Sequence, residues 1–409
     1  MGERPESAGI VLENLDLGIQ FDTWKSYRFN DHFLTPADGW SMTLGDESVG
    51  DELIAKLQPG QLIRLSINGH TTSTGYIDSI TVTTDRGGGT NVTIEGRDRM
   101  GAVVDGCVNP LMRFTATQTI ADVAAAVLTP FGLATVVDND VNKGVITGQL
   151  SGVKTTKKGK PLKAYQLANQ LKPHPHEGAF AFLSRLTQRS GLWVWPSADG
   201  QSAIVGAPDF EQEPIFKIVH KRGAAGVANN VISSHVKKDG GDQPSMIVAT
   251  GSGTGGDNLS GQLRVFVIND FTAYDANGAL RPEITAVLKT FGASAGAPTR
   301  GFQPFQWYPQ KTSRILYMHD DESHTLDQLL YFARREMALM QRKTLTATYV
   351  FEGHENSGRP WCVDAIVDVD DDVSNVHEEL WVLSRTFTKD RSSGTHTTVE
   401  LIRPGTMLF

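Results

Sequence analysis

Two segments at opposite ends of this chain are copies of one β-unit, and that repetition constrains the fold more than any other feature. Residues 76–95 read YIDSITVTTDRGGGTNVTIE and residues 381–400 read WVLSRTFTKDRSSGTHTTVE, aligned without a gap at an offset of 305. Ser79/Ser384, Thr81/Thr386, Thr83/Thr388, Asp85/Asp390, Arg86/Arg391, Gly89/Gly394, Thr90/Thr395, Thr93/Thr398 and Glu95/Glu400 are identical. Tyr76/Trp381, Ile77/Val382, Val82/Phe387 and Ile94/Val399 are conservative pairs between them. Apolar residues alternate with Ser and Thr, the period of a strand with one buried face. The Asp-Arg-x-x-Gly segment supplies a turn with a glycine suited to positive φ. Each copy is therefore expected to be a β-hairpin of the same length and register. Each also follows a strand opened by a proline, Pro59 before Leu62–Ile67 and Pro360 before Val363–Val369.

A chain of 409 residues exceeds one ordinary hydrophobic core and is expected to divide into several domains. Between the repeats, Thr117 is placed to cap a helix carrying Ile120, Val123, Ala124, Val127 and Leu128, stopped by Pro130. A second helix is expected from Ala179 to Ser190, with Phe182, Leu183 and Leu186 inward and Gly191 at its end. Trp193-Val194-Trp195, Asp199-Gly200 and Ala203-Ile204-Val205 read as a hairpin. Strands are expected at Phe216–His220, Val231–Lys237, Met246–Ala249, Leu345–Phe351, Leu380–Phe387 and Thr397–Ile402. Residues 262–320 mix short strands with loops holding Pro304, Trp307 and Pro309. Leu326, Leu329, Leu330, Ala333, Met337 and Met340 mark the longest helix, with Arg342 and Lys343 near its negative end.

The fold class that follows is α+β, predominantly β. The organisation is a first β-domain over residues 1–107, a small α+β domain over 108–212, a second β-domain over 213–250 and 341–409, and an inserted α+β segment over 251–340.

Little in the sequence points to chemistry. The net charge of −8 disfavours a general nucleic-acid binder, which needs a basic face. Cys107 and Cys362 read as buried free thiols. No run approaches the roughly 18 apolar residues of a membrane span. The acidic N-terminus lacks the parts of a signal peptide, so a soluble, cytosolically made chain is expected. Gly251-Ser252-Gly253-Thr254-Gly255-Gly256 follows a strand, but no helix pattern or Gly-Lys-Ser/Thr follows it, so phosphate binding is not expected. The basic stretch Lys154–Lys160 reads as a solvated turn. His174-Pro-His176-Glu177 lacks a third ligand and reads as a loop entering a helix. Asp368, Asp370, Asp371 and Asp372 lack calcium-loop spacing and read as a solvated strand end. No catalytic, cofactor-binding or metal residues are assigned, and no cofactor is expected.

A further set of segments carries a family resemblance. Gly75-Tyr76-Ile77-Asp78-Ser79-Ile80 is followed by Val92-Thr93-Ile94-Glu95-Gly96-Arg97-Asp98-Arg99-Met100-Gly101-Ala102-Val103-Val104-Asp105. Gln118-Thr119-Ile120-Ala121-Asp122-Val123 with Pro130-Phe131-Gly132, the helix ending in Gly191-Leu192, Gly353-His354 and the closing Val399-Glu400-Leu401 come in the same order. Together they resemble the baseplate hub family of tailed bacteriophages, the late-control D type of Mu-like and P2-like tails, related to the T4-type hub. The resemblance implies that the two β-domains are barrel-like tube domains and that the chain is a non-enzymatic homotrimer. Three chains with two equivalent domains each would adapt a sixfold tail tube to a threefold central spike, in a phage tail or a phage-derived injection particle. The implied partners are tail tube proteins, the central spike, baseplate wedge or sheath-initiating proteins and the tape measure protein. DNA would pass through the lumen without specific binding, and the location would be the virion tail after assembly in the host cytoplasm. Two alternatives are a tail-associated cell-wall-degrading enzyme and a receptor- or glycan-binding module, the latter suggested by Trp24, Trp40 and Trp307.

Overall fold

The computed structural model describes residues 9–44, 55–85, 89–114, 118–137, 172–188, 192–223, 229–252, 263–290 and 314–404, apart from a few single positions and pairs inside those ranges. Two compact units emerge, one from the described residues up to 184 with 194–236 and 347–404, the other mainly from 237–346.

The first unit is built on one long sheet. Its N-terminal strands are β1 (Ile10–Asn14), β2 (Ile19–Phe21), β3 (Ser26–His32), β4 (Gly39–Leu44), β5 (Leu62–Ile67), β6 (His70–Asp85) and β7 (Gly89–Asp98), followed by the short helix α1 (Met100–Asp105). Strict alternation explains why these segments extend: β1, β4 and β5 bury every second residue, among them Ile10, Leu12, Trp40, Met42, Ile63 and Leu65. A smaller layer follows, with α2 (Ile120–Leu128), β8 (Ala134–Val137), α3 (Ala179–Gln188), β9 (Trp193–Pro196) and β10 (Ser202–Gly206), whose strands lie in the order β8-β10-β9. The cap of α2 is Thr119, not the Thr117 read from sequence: its hydroxyl accepts from the Asp122 amide while the Asp122 carboxylate accepts from the Thr119 amide. Both halves of a capping box are present only from Thr119, because the acid must sit three residues on.

After β11 (Phe216–His220) and β12 (Ser233–Lys238), the second unit holds β13 (Met246–Gly251), β14 (Leu263–Ile268), α4 (Pro282–Thr290), β15 (Ile315–Asp320) and α5 (Leu326–Gln341). Its strands run β14-β13-β15, antiparallel then parallel. Leu329, Ala333 and Met337 of α5 cover one core with Ile247, Ala249 and Val267, while Ile284 and Leu288 of α4 join Met246, Val248 and Ile268 in another. Helix α4 was not expected from the sequence, although Pro282 at its start and the i, i+4 pair Ile284/Leu288 are its signals.

The chain then returns to the long sheet through β16 (Leu345–Glu352), the short β17 (Glu355–Asn356) and β18 (Arg359–Pro360), β19 (Ile366–Asp371), β20 (Val376–Asp390) and β21 (Gly394–Ile402). Pro360 therefore sits in a strand of its own and does not open β19. The sheet has 13 strands in the order β12-β16-β21-β20-β3-β4-β7-β6-β5-β1-β2, with β19 beside β20 and β11 beside β19. It is predominantly antiparallel, the β11–β19 pair being parallel. Among the described residues it is one open sheet and no barrel closes, so the barrel-like form implied by the family resemblance is not what the sheet order gives. Alternation fixes which face of a strand is buried and leaves closure undetermined. No helix among the described residues is long and apolar enough to cross a membrane.

Candidate functional site

The two repeats fold as the same hairpin down to its irregularity. Asp85 pairs with Gly89 and Asp390 with Gly394, and both glycines hold positive φ, 74° and 87°. From there the ladders run in identical register to Ser79↔Glu95 and Ser384↔Glu400. Both slip by one residue at the next step, between Ile77 and Ser79 and between Val382 and Ser384. At each bulge the serine hydroxyl donates to the glutamate, 3.2 Å for Ser79–Glu95 and 3.4 Å for Ser384–Glu400. A shared bulge is a strong sign of common origin, because it re-aims every residue beyond it. The third strand also corresponds: β5 reaches β6 at Leu62↔Tyr76 and β19 reaches β20 at Ile366↔Trp381. Beyond it the copies diverge, β1 lying antiparallel to β5 and β11 parallel to β19.

The Gly-Tyr-Ile-Asp and Gly-Arg-Asp segments meet across the first hairpin. A Cβ on Gly75 would stand 1.9 Å from the Arg97 carbonyl oxygen, and one on Gly96 would stand 2.1 Å from the Tyr76 carbonyl oxygen and 2.4 Å from Trp40. The strands can approach so closely only because neither residue has a side chain. Arg97 then reaches both ways: its Nε donates to Asp78 at 2.7 Å, and its two terminal nitrogens donate to Asp105 at 3.1 and 2.5 Å. This ties α1 to the bulged end of β6. The shared hydrogen bonds hold the Asp105 carboxyl below its usual range and raise the guanidinium further. Asp98 turns inward, accepts from the Asp38 amide at 3.1 Å, and is buried at the start of α1.

The seam between the copies is where β20 pairs with β3, Ser384↔His32 to Lys389↔Tyr27. Arg385 crosses it. Its Nε donates to Asp31 at 2.8 Å and another nitrogen to the carbonyl of Trp361, and the guanidinium lies over the Phe29 and Phe387 rings at 5.4 and 5.0 Å. Phe29 and Phe387 themselves stack at 5.9 Å. Asp38 and Asp98 complete a buried acidic group beside this arginine. Burial raises both carboxyls well above the usual range, with neighbouring carboxylates adding to it. Further along, the Tyr27 hydroxyl meets His354 Nε2 at 2.6 Å while His354 Nδ1 meets the Thr397 hydroxyl at 3.0 Å. Burial pushes His354 down to about 3 and Tyr27 up to about 12. These polar groups lock two halves of the sheet that are more than 300 positions apart in sequence.

The motifs weighed for chemistry fall elsewhere. The His174 amide donates to Glu177 at 2.8 Å, closing a turn before α3, and the His176 carbonyl accepts from Cys107. Asp370, Asp372 and His377 form a close group that could hold a cation, but Lys221 already bridges the two aspartates at 2.5 and 3.1 Å. Asp371 corrects the reading of a solvated strand end. It is fully buried, taking the Tyr349 hydroxyl at 2.9 Å and the Val373 and Ser374 amides, because it continues the inward face of Val367 and Val369. Cys107 and Cys362 are free, but neither is fully buried as expected: Cys107 is exposed just past α1, and Cys362 is half-buried. Trp24 and Trp40 are buried, Trp24 donating to the Ile10 carbonyl, so neither offers a glycan platform. Lys154–Lys160, Trp307 and most of the glycine-rich loop after Ser252 lie outside the described residues. Arg385, Asp31 and Asp38 were not singled out from sequence. One signal was available: Arg385 aligns with Ile80 of the other repeat, a charge where the pattern calls for an apolar residue.

Residues 15–98 match the family described as Mu phage baseplate assembly protein GpP-like, N-terminal. The span covers β2 to β7 and contains the Gly75–Asp78 and Gly96–Asp98 segments. The whole chain shares its fold with a tail protein from Neisseria meningitidis MC58, 19% identical, with 97% of each chain covered and a TM-score of 0.70. A 43 kDa tail protein of prophage MuSo2 from Shewanella oneidensis is 18% identical over 97% of this chain and 99% of that one, with a TM-score of 0.67. The prophage tail protein gp18 from Listeria monocytogenes EGD-e is 7% identical, covering 96% and 94%, with a TM-score of 0.50. No curated protein matches the sequence.

Proposed function

From the match of residues 15–98 to the Mu phage baseplate assembly family, we propose that the chain is a structural component of a phage tail baseplate, the hub. It works as a homotrimer that adapts a sixfold tail tube to a threefold central spike. The observation that carries this reading is the pair of hairpins identical in register, bulge and turn glycine. A threefold ring of such chains presents six similar β-modules, which is how one polypeptide meets a sixfold neighbour on one side and a threefold neighbour on the other.

In this reading residues 1–107 form the first tube domain and 213–250 with 341–409 the second. Residues 108–212 form the small α+β domain and 251–340 the insertion. The partners are tail tube proteins, the spike, wedge or sheath-initiating proteins and the tape measure protein, and DNA passes through the central channel without specific contacts. The chain resides in the virion tail. Its polar cluster at the seam is architectural rather than catalytic: Arg385, Asp31 and Asp98 are closed off from any substrate.

The test is the native mass of the purified chain. A species near three times 44.5 kDa is expected. A stable dimer would overturn the reading, since no twofold ring joins a threefold to a sixfold partner. Release of soluble fragments from purified peptidoglycan would move the chain to the enzymatic alternative.

A further inference from the structure

Three carboxyls and one guanidinium are shut inside the seam, and their charges do not balance. Asp31, Asp38, Asp98 and Arg385 are each 7% exposed or less. Three ionised acids against one cation would leave two negative charges uncompensated away from water, which desolvation and like-charge repulsion both oppose. The repeat itself does not demand the cluster. At the offset of 305 the counterpart of Asp98 is Arg403, which binds Glu378 through two nitrogens at 2.8 and 2.7 Å, and the counterpart of Arg385 is Ile80. The acids converge only where the two copies join.

The donors around each acid decide where a proton must sit. Asp31 takes Nε of Arg385 at 2.8 Å, and the other Arg385 nitrogens go to the Trp361 and Thr72 carbonyls. Asp98 takes the Asp38 amide at 3.1 Å and faces the Met100 and Gly101 amides at the start of α1. Asp38 has neither a cation nor a set of amides. Among the described residues the one N–H that reaches its carboxyl is that of His32, at 3.4 Å. Its other neighbour is the Asp31 carboxyl, within hydrogen-bonding reach. Two carboxylates can only accept, so this contact needs a proton between them.

We infer that Asp38 is an un-ionised acid in the folded chain, donating its proton to the Asp31 carboxylate, and that the joint between the two copies is held by this proton and weakens as alkaline solution removes it. Arg385 then balances Asp31, and Asp98 is the acid that ionises first as the pH rises, at about 7. Asp38 holds its proton longer, raised by burial and then by the charges of Asp31 of β3 and Asp98 of β7, with Arg385 of β20 opposing. The His32 ring is turned to the Leu34 amide at 3.0 Å. Cys362 and His354 also lie within the field of Arg385, but burial raises the thiol and lowers the imidazole, so both are neutral near pH 7 and add no charge. In the unfolded chain Asp38 ionises at about 3.9. Above that pH the folded chain keeps a proton that the unfolded chain has lost. Folding therefore weakens about tenfold for each pH unit until the folded chain releases the proton too.

Two measurements on the full-length chain test this. The infrared spectrum at pH 8 is expected to show the C=O stretch of a protonated buried carboxyl, lost in Asp38→Asn and kept in Asp98→Asn. Between pH 7 and 8 His354 is largely neutral whether folded or unfolded. Over that unit the folding equilibrium constant from urea unfolding is expected to fall further in the wild-type chain than in Asp38→Asn, by a factor approaching about tenfold. Absence of the band from the folded wild-type chain at pH 8 overturns the proposal without any variant having to fold. A band that survives Asp38→Asn places the proton elsewhere, on Asp98 if Asp98→Asn removes it, and overturns the proposal as well. So does an equal fall in the wild-type chain and Asp38→Asn.

Discussion

Asp31 of β3 and Arg385 of β20, 354 positions apart, meet at 2.8 Å with their side chains 3% and 2% exposed. The pair sits on the seam that makes one sheet of two modules. An ion pair removed from water on both sides is sustained by its added hydrogen bonds, here to the Trp361 carbonyl, and by the aromatic faces of Phe29 and Phe387. Arg385→Ala leaves Asp31 beside the buried Asp38 and Asp98 without a cation. It is expected to cost about 3–5 kcal/mol, read as a fall in the urea midpoint of the chain. The double variant Asp31→Ala/Arg385→Ala is expected to cost less than the sum of the single ones. Strict additivity would mean that the two side chains do not act as a pair.

The buried titratable groups of the seam pull stability in opposite directions with pH. His354 is held neutral in the fold, down to about 3, whereas the unfolded chain takes up its proton below about 6.5. Its contribution therefore falls as the pH drops from about 6.5, by about 2 kcal/mol on reaching pH 5. Asp98 is raised, so the unfolded chain ionises it first and its contribution falls as the pH rises from about 4. Urea midpoints at pH 5, 6 and 7 are expected to show His354→Gln losing part of the acid sensitivity and Asp98→Asn losing part of the decline toward neutrality. Parallel profiles for the two variants would show that neither burial governs the titration.

Arg97 offers a contrast with Arg385. It binds Asp78 and Asp105, but the three side chains are 34%, 40% and 60% exposed. Water and salt weaken such a network, so Asp105→Asn is expected to cost below about 1 kcal/mol and to cost still less at high salt. A loss several times larger, unchanged by salt, would mean that Asp105 holds α1 in place by something other than charge.

What was legible in the sequence follows from how local each cause is. The hairpins could be read residue by residue, since alternation and turn chemistry act within twenty positions, and the register Asp85↔Gly89 with its counterpart Asp390↔Gly394 came out as the repeat implies. Helix α5 was legible for the same reason, from Leu329, Ala333 and Met337 at helical spacing. The seam was not. Nothing near Arg385 announces a carboxylate 354 positions away, and only its mismatch with Ile80 hints that this copy faces a different neighbour. Tyr27 and His354 are equally distant and equally silent. Asp371 could have been found, because period 2 places it with Val367 and Val369 rather than with Asp370 and Asp372. That the described sheet stays open could not, since no residue pattern within a strand encodes which edges meet.

The close approach of β6 and β7 yields the sharpest contrast among single substitutions. Gly96 faces the Tyr76 carbonyl and the Trp40 ring, and an added Cβ would lie 2.1 and 2.4 Å from them. The carbonyl belongs to a backbone fixed by ladders on both sides, so it cannot retreat as the end of a flexible side chain would. Gly39 lies in the neighbouring strand and pairs with Arg97, yet a Cβ there meets nothing within 4 Å. Gly96→Ala is expected to cost about 1–3 kcal/mol, the scale of an overpacked core. Gly39→Ala is expected to be neutral or to stabilise by about 0.4–1 kcal/mol through a less flexible unfolded chain. Thermal or urea unfolding of the two variants side by side decides it. Equal effects would mean that the two strands stand further apart at Gly96 than the ladder places them, and that glycine is there for another reason.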